Sequence, residues 1–331
     1  MRVLITGGTG FVGKHLLDVI ASGSTSLSMN EIVIASRSPQ LTGHNVETVS
    51  WDVTSGPVPK FNVDAVIHAA TPASAELNLR SPRLMFDQIV EGARHVIEFC
   101  ATQSDPPRVV FTSSGAVYGE MPRGVTAWAE NSRFAADPLE ARNAYASGKR
   151  AAEAMFALAE HEGVCRPTMA RLFAFSGRHL PLERHYALGN FVRDALYRGI
   201  IRVRGDGLTV RSYLDGDDMA RWILAALTGG QDTKVVHVGS EFPISIRDLA
   251  ELVQNIARTM LHMDIGLQID RSLSELDGRR RYVPSTRITR SLLNVRQSVT
   301  LSQSIAEMFD FAKLGDLDGA NPAKRRRGTT N

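Results

Sequence analysis

Short, nearly unbroken apolar runs alternate in the first half of the chain with longer stretches in which apolar residues recur every three or four positions. The runs at 3–5, 31–35, 64–70, 108–112 and 167–173 read as strands, and 50–53 as the end of one more. Runs so poor in polar residues fit strands covered on both faces, as in a parallel sheet. Between them, 83–102 carries Met85, Ile89, Ala93, Val96, Ile97 and Cys100 at helical spacing, with Asp87, Glu91, Arg94 and Glu98 largely opposite. An alanine-rich helix is expected over 145–163. This alternation predicts an α/β fold with a doubly wound parallel sheet and right-handed crossovers.

Beyond Ser176 the pattern changes. Residues 177–211 are richer in basic side chains and loops, and amphipathic helices are expected over 244–261 and 302–313, around a strand-like 234–238. The reading is a first domain over 1–175, a smaller C-terminal domain over 176–315 interleaved with it, and a disordered basic tail over 316–331. The run Lys324-Arg325-Arg326-Arg327 taken alone resembles a nucleic-acid patch. A glycine- and asparagine-flanked chain end has no reason to fold, so a solvated tail is expected and no nucleic-acid partner.

Bulk composition narrows the class. The chain has 331 residues, 43% hydrophobic and 22% charged, with a net charge of +3, so no strong attraction to nucleic acid or anionic membrane follows from charge. Cys100 and Cys165 lack partners at metal-binding spacing, which predicts buried thiols and no metal site. No apolar run approaches the ~18 residues needed to cross a bilayer. A cytoplasmic protein is expected.

The candidate chemistry begins at the first strand. Val3-Leu4-Ile5 runs into Thr6-Gly7-Gly8-Thr9-Gly10-Phe11-Val12-Gly13 and then into an apolar-periodic helix. Strand, glycine turn and helix N-terminus together present backbone N–H groups to an anion, and a dinucleotide diphosphate is the natural guest. Gly7 would allow the tight turn, Gly10 close approach of backbone to phosphate, and Gly13 close packing of helix on strand. The sheet is therefore read as Rossmann-type.

Tyr145 and Lys149 stand four apart at the start of a helix and share a face. A tyrosine titrates near ~10, and an adjacent ammonium favours its phenolate and moves it toward the working range of a proton-transfer group. Ser113 and Ser114 follow the strand at 108–112, at the carboxyl edge where open parallel sheets bind ligands.

With these pieces in place the chain resembles an extended short-chain dehydrogenase/reductase of the NAD-dependent epimerase/dehydratase family, whose members act on nucleotide sugars. The resemblance rests on TGGTGFVG, Asp52-Val53, His68-Ala69-Ala70, TSSGAVYG, YASGK and GDGLTVRSYLDGDD, in that order, and reaches to about Lys313. It implies that Ser114 is the catalytic hydroxyl, Tyr145 the general acid/base, and Lys149 the lysine that lowers the tyrosine pKa and bonds the nicotinamide ribose. It implies a cofactor site at Gly7, Gly10, Phe11, Val12 and Gly13 for the diphosphate, Asp52 and Val53 at the adenine, and Ala69 and Ala70 along the cleft. Arg211 corresponds to an arginine on the sugar-nucleotide diphosphate, with Asn190 and Arg281 nearby. Guanidinium groups suit a diphosphate because they bind it bidentately.

The departures are informative. In the family's 4,6-dehydratases an Asp-Glu pair follows the catalytic hydroxyl, and here Gly115 and Ala116 stand there. Neither can move a proton, so dehydration is not expected. The asparagine usual in the helix after the fourth strand is replaced by Ile89 or a neighbour. After the second strand, Ala35-Ser36-Arg37 offers an arginine where an acid would bond the ribose hydroxyls of NAD, which favours NADP over NAD. The expected activity is hydride transfer at C4 of a nucleoside-diphosphate hexose, favoured as reduction of an NDP-4-keto-6-deoxy sugar. The alternative is 4-epimerisation with retained NAD. A rival of another class is a non-catalytic dinucleotide sensor or scaffold, against which the intact Ser114, Tyr145 and Lys149 set argues. The family usually forms homodimers through the helices at 83–102 and 145–163.

Overall fold

A computed structural model of the chain describes residues 1–28, 31–37, 46–183, 186–229, 234–270 and 281–317. The first half runs β1 (Val3–Thr6), α1 (Phe11–Ala21), β2 (Ile32–Ser36), β3 (Glu47–Ser50), β4 (Ala65–His68), α2 (Ala75–Arg80), α3 (Pro82–Ala101), β5 (Arg108–Ser114), α4 (Ala144–His161) and β6 (Arg166–Leu172). It continues through β7 (Ala174–Ser176), α5 (Ala187–Arg198), β8 (Ile200–Arg204), β9 (Val210–Arg211), β10 (Tyr213–Asp215), α6 (Gly216–Thr228) and β11 (Val235–Val238). The chain then forms β12 (Ile244–Ser245), α7 (Ile246–Leu261), β13 (Gly266–Asp270), β14 (Arg281–Tyr282), α8 (Arg287–Leu293) and α9 (Leu301–Leu317).

Seven strands form one parallel sheet in the order β11-β6-β5-β4-β1-β2-β3. The order reverses between β1 and β4, and that switch opens a crevice at the carboxyl edge. Because strands such as Val3–Thr6 and Ala65–His68 are buried throughout, both faces need cover. On one face α1 and α6 pack Leu16, Leu17, Val19, Ile20, Trp222 and Ile223 against Ile5, Ile34 and Ile67. On the other, α3 and α4 pack Met85, Ile89, Val96, Phe99, Ala152 and Phe156 against Leu4, Val66 and Phe111. A third cluster, centred on Leu188, Phe191, Val192, Leu249, Val253, Met308 and Phe309, joins α5, α7 and α9 beside the sheet.

Several sequence expectations shift. The stretch at 50–53 is not strand beyond Ser50. Asp52 accepts hydrogen bonds from the backbone N–H (2.9 Å) and hydroxyl (2.7 Å) of Thr54, and this side-chain turn stops the ladder. The stretch at 234–238 belongs to the main sheet, as its edge strand beside β6, and not to the smaller helical part. Three valines announce a strand without naming its partner. Residues 316–317, expected in the tail, continue α9. The basic run Lys324–Arg327 lies outside the described residues. No described helix is long and apolar enough to cross a membrane.

The contact of α4 with β5 fixes the strand that ends in Ser114 against the helix that carries Tyr145 and Lys149. Phe156 is fully buried there, with its ring 5.1 Å from that of Phe111 and 6.4 Å from His68. Truncating a buried phenylalanine removes its transfer energy and leaves a cavity. Phe156→Ala is expected to lower unfolding stability by about 3–5 kcal/mol, read from urea denaturation followed by circular dichroism.

Candidate active site

The glycine turn closes β1 onto α1. Gly7 has φ +74°, and a Cβ there would come 2.8 Å from the backbone of Ala69 and Ala70, so conformation and space both demand glycine. Gly13 is equally constrained, since a Cβ would meet Gly7 O and Gly8 C at 2.5 Å. Gly10 differs: the nearest atom to a Cβ is Gly7 O at 3.3 Å. It is the N-cap of α1 and contributes no side-chain cap, and the first turn carries no acid. The uncapped N–H groups, the positive end of the helix dipole and the space over Gly10 suit a diphosphate. Phe11 and Val12 open α1 and pack beneath it on the sheet.

At the other end of the crevice, Arg37 is exposed just past β2. Asp52 is held below the usual carboxylate range, first by its hydrogen bonds with Thr54 and also by the charge of Arg37. Val53 is buried and its carbonyl accepts from His95 Nδ1 at 2.8 Å. Ala69 and Ala70 leave β4 at the switch point, where their N–H groups donate to the carbonyl and hydroxyl of Thr6, both at 3.2 Å.

The proposed catalytic side chains come from β5 and α4. Lys149 is buried and donates to Thr71 Oγ1 and to the carbonyl of Thr112, both at 2.6 Å. Burial pushes its pKa down to about 7, with Glu153 acting in the opposite sense. Its ammonium also lies 4.8 Å from the Phe111 ring centre and 5.9 Å from that of Tyr145. Tyr145 packs against Ala116 and Ala136, and its backbone N–H donates to Asn78 Oδ1 at 2.9 Å. Asn78 in turn donates to the carbonyl of Arg142 at 2.8 Å, so α2 clamps the start of α4. Ser114 is the last residue of β5. Its Oγ accepts from the Ala116 N–H at 3.1 Å, which leaves the hydroxyl proton to donate, and lies 3.4 Å from Tyr282 Oη.

Residues 115–118 form a buried 3-10 turn. A Cβ at Gly115 would fall 2.6 Å from the Phe173 ring and 2.8 Å from Tyr282 Oη. The absent acidic pair is thus more than a sequence gap: aromatic side chains of β14 and the β6–β7 link fill the space that the first of those acids would need. Tyr282 and Phe173 pack with ring centres 4.8 Å apart and planes tilted by 37°.

The three residues expected at the substrate phosphates are dispersed. Arg211 ends β9, facing the ring of Tyr282 at 5.9 Å, with Nη1 donating to the Val210 carbonyl at 3.0 Å. β14 pairs with β9 so that Tyr282 stands opposite Arg211 and Arg281 opposite Val210. Alternation along a strand puts Arg281 on the other face of this small sheet, and its Nε donates to the Thr126 carbonyl at 2.6 Å. Asn190 lies in the first turn of α5, half-buried.

Sequence reasoning missed Thr71, Asn78, Tyr282 and a buried polar chain behind the site. In that chain Ser113 Oγ donates to Glu153 Oε1 at 2.5 Å, and Arg171 binds both oxygens of Glu153 at 2.9 and 2.7 Å. Arg171 also donates to Tyr118 Oη at 2.7 Å. His237 Nδ1 must donate to the Ser285 carbonyl (2.8 Å), so its Nε2 accepts from Tyr118 at 2.6 Å. Burial keeps His237 neutral, its pKa pushed down to about 3. Of this chain only Glu153, four residues beyond Lys149 on an alanine-rich helix, left a sequence signal.

The lowered pKa of Lys149 has a measurable effect on stability. The unfolded chain holds this proton up to ~10.4 and the folded chain releases it near about 7, so the unfolded state binds more protons between these values and stability rises with pH there. Lys149→Met is expected to flatten that rise, measured as urea unfolding free energy across the same pH window.

A profile of the NAD dependent epimerase/dehydratase family matches residues 3–239. UDP-glucuronic acid decarboxylase 6 of Arabidopsis thaliana is 27% identical over 272 residues, covering 78% of this chain and 75% of that protein. The crystal structure of UDP-glucose 4-epimerase with UDP-glucose from Thermotoga maritima superposes with a TM-score of 0.79 at 19% identity, covering 95% of this chain and 99% of that one. UDP-glucuronic acid 4-epimerase from Bacillus cereus, in complex with UDP-glucuronic acid and NAD, gives a TM-score of 0.74 at 18% identity, with coverage of 95% and 99%. The family match spans most of the chain, including the glycine turn, Ser114, Tyr145, Lys149 and the edge strand β11: the chain belongs to the NAD-dependent epimerase/dehydratase family.

Proposed function

We propose that this chain reduces the C4 ketone of a nucleoside-diphosphate 4-keto-6-deoxy hexose with NADPH. The observation that carries the reading is the pairing of Ser114 and a Tyr145–Lys149 helix face with an adjacent turn, Gly115–Ala116, that holds no acid or base. Such a site can exchange a proton with one oxygen while a hydride moves, and has nothing at that turn to remove water from a neighbouring carbon. The curated relatives named as acting on UDP-glucuronic acid support a nucleotide-sugar substrate. Arg211, beside Tyr282 at the mouth of the site, is the arginine for its diphosphate, with the α5, α7 and α9 region as the substrate domain.

The dinucleotide, when bound, supplies the hydride. Gly7, Gly10 and the α1 N-terminus hold its diphosphate, and Arg37 takes the 2′-phosphate. Ser114 donates its hydroxyl proton as a hydrogen bond to the C4 oxygen. Tyr145 gives that oxygen its phenolic proton as the carbon accepts the hydride, so ketone becomes alcohol. Lys149, carrying its positive charge one turn away, stabilises the phenolate that remains. A second reading, 4-epimerisation with retained NAD, draws on the nearness of the Arg37 charge to Asp52, which needs no 2′-phosphate. The outward faces of α3 and α4, with Leu84 and Leu158 exposed, are the surface by which two copies would pair.

Incubation with a panel of NDP-hexoses and NDP-4-keto-6-deoxyhexoses separates the readings. Oxidation of NADPH confined to the keto sugars, with an alcohol product, is expected; isomerisation without added cofactor would replace the reductase by the epimerase. Tyr145→Phe should cut turnover by about 10²–10⁴-fold with nucleotide-sugar binding retained in calorimetry. Arg37→Ala should raise the KM for NADPH by roughly 10- to 100-fold and leave that for NADH nearly unchanged, since only the phosphate loses a charge-assisted hydrogen bond.

A further inference from the structure

Glu153 takes no part in the proton and hydride transfers, yet it is buried and every feature of its surroundings ties it to the site. It lies on α4 four residues beyond Lys149 and eight beyond Tyr145, so the three share one helix face. Its carboxylate is fixed by a bidentate Arg171, from β6, and by the hydroxyl of Ser113, from β5. Three successive residues of β5 therefore have distinct tasks: the Thr112 carbonyl accepts from Lys149, Ser113 donates to Glu153, and Ser114 faces the site. The strand that carries the reacting hydroxyl is gripped by the helix that carries the tyrosine at two points one helical turn apart.

Charge leads to the same place. The ionisable groups facing Lys149 are Tyr145 and Glu153 on its own helix and His68 on β4, with Arg171 of β6 behind Glu153. His68 is neutral, its pKa pushed down to about 3 by burial and by Lys149. Glu153 is the negative charge that offsets the burial of the ammonium. Arg171 holds that carboxylate in one orientation, and Tyr118 holds Arg171. A buried ion pair is weak evidence for stability, because apolar replacements of the same volume often fold as well. The arrangement is better explained by what it does to its neighbour.

We propose that Glu153, oriented by Arg171 and Ser113, is a positioning residue that keeps Lys149 an ammonium and holds β5 against α4 so that Ser114 faces Tyr145. The proposal rests on the reading of Lys149 as the partner of Tyr145 in proton transfer. Its first consequence is independent of any substrate.

The test compares wild type with Glu153→Gln, Glu153→Asp and the double variant Glu153→Gln/Arg171→Met, all as the full chain. Glu153→Gln leaves Arg171 buried without its counter-charge and can fail to fold. The double variant removes both charges, keeps an acceptor for Ser113 and leaves Tyr118 its bond to His237, so it tests the idea on a folded protein. Lysine ¹³Cε NMR on the cofactor-free chain, with the Lys149 signal assigned by Lys149→Met, reads the titration directly among six lysines. The Lys149 midpoint is expected to fall by about one pH unit in the double variant and to stay near wild type in Glu153→Asp. In steady-state assays kcat at pH 8 should fall about ten-fold in the double variant with the sugar-nucleotide KM little changed, and its alkaline limb should move to lower pH by the same interval. An unmoved Lys149 midpoint in a folded double variant overturns the proposal. A shifted midpoint in a chain whose wild type turns over no nucleotide sugar upholds the coupling and refutes the substrate reading instead.

Discussion

The site depends on one burial: an ammonium group placed inside the sheet–helix interface, with the Thr112 carbonyl and the Thr71 hydroxyl as acceptors. Burying a charge disfavours it, and Lys149 accordingly sits near the pH at which it would lose its proton. A lysine in this state responds to small changes in surrounding charge, which suits the role proposed for it beside Tyr145. Around it the protein has arranged the packing of Phe111 and Phe156, the clamp of Asn78 on the start of α4, and the ion pair of Glu153 with Arg171.

The second constraint is space. Gly7 and Gly13 are glycines because backbone lies where a Cβ would go, whereas Gly10 looks onto the crevice. Gly115 is of a third kind: the side chains of Phe173 and Tyr282 occupy the position that the first acid of a dehydratase pair would need. Glycine at this position thus goes together with an aromatic wall beside Ser114. Arg211 lies across the ring of Tyr282, so the phosphate-binding candidate and the wall of the reacting centre are one packed unit.

The two arginines proposed for the substrate illustrate what spacing leaves out. Arg211 and Arg281 are seventy residues apart in the chain and adjacent in the three-stranded sheet, yet a register offset by one puts their side chains on opposite faces. Arg281 instead joins β14 to the segment at 126, where Trp128 and Val283 also exchange backbone contacts.

What the sequence determined by itself is whatever rests on local periodicity and on residue type. Apolar runs announce β1, β2, β4, β5 and β6; the glycines after β1 announce the tight turn into α1; the four-residue spacing of Tyr145 and Lys149 places them on one helix face. Only the tertiary structure decided what depends on distant partners. It assigned β11 to the main sheet, ended β3 at Ser50, set the register of β9 with β14, and brought Glu153, Arg171, Tyr118 and His237 into one buried chain. The reason is physical: a strand's partner and a buried carboxylate's counter-ion are chosen by packing across the whole molecule, and neither leaves a mark in the few residues on either side.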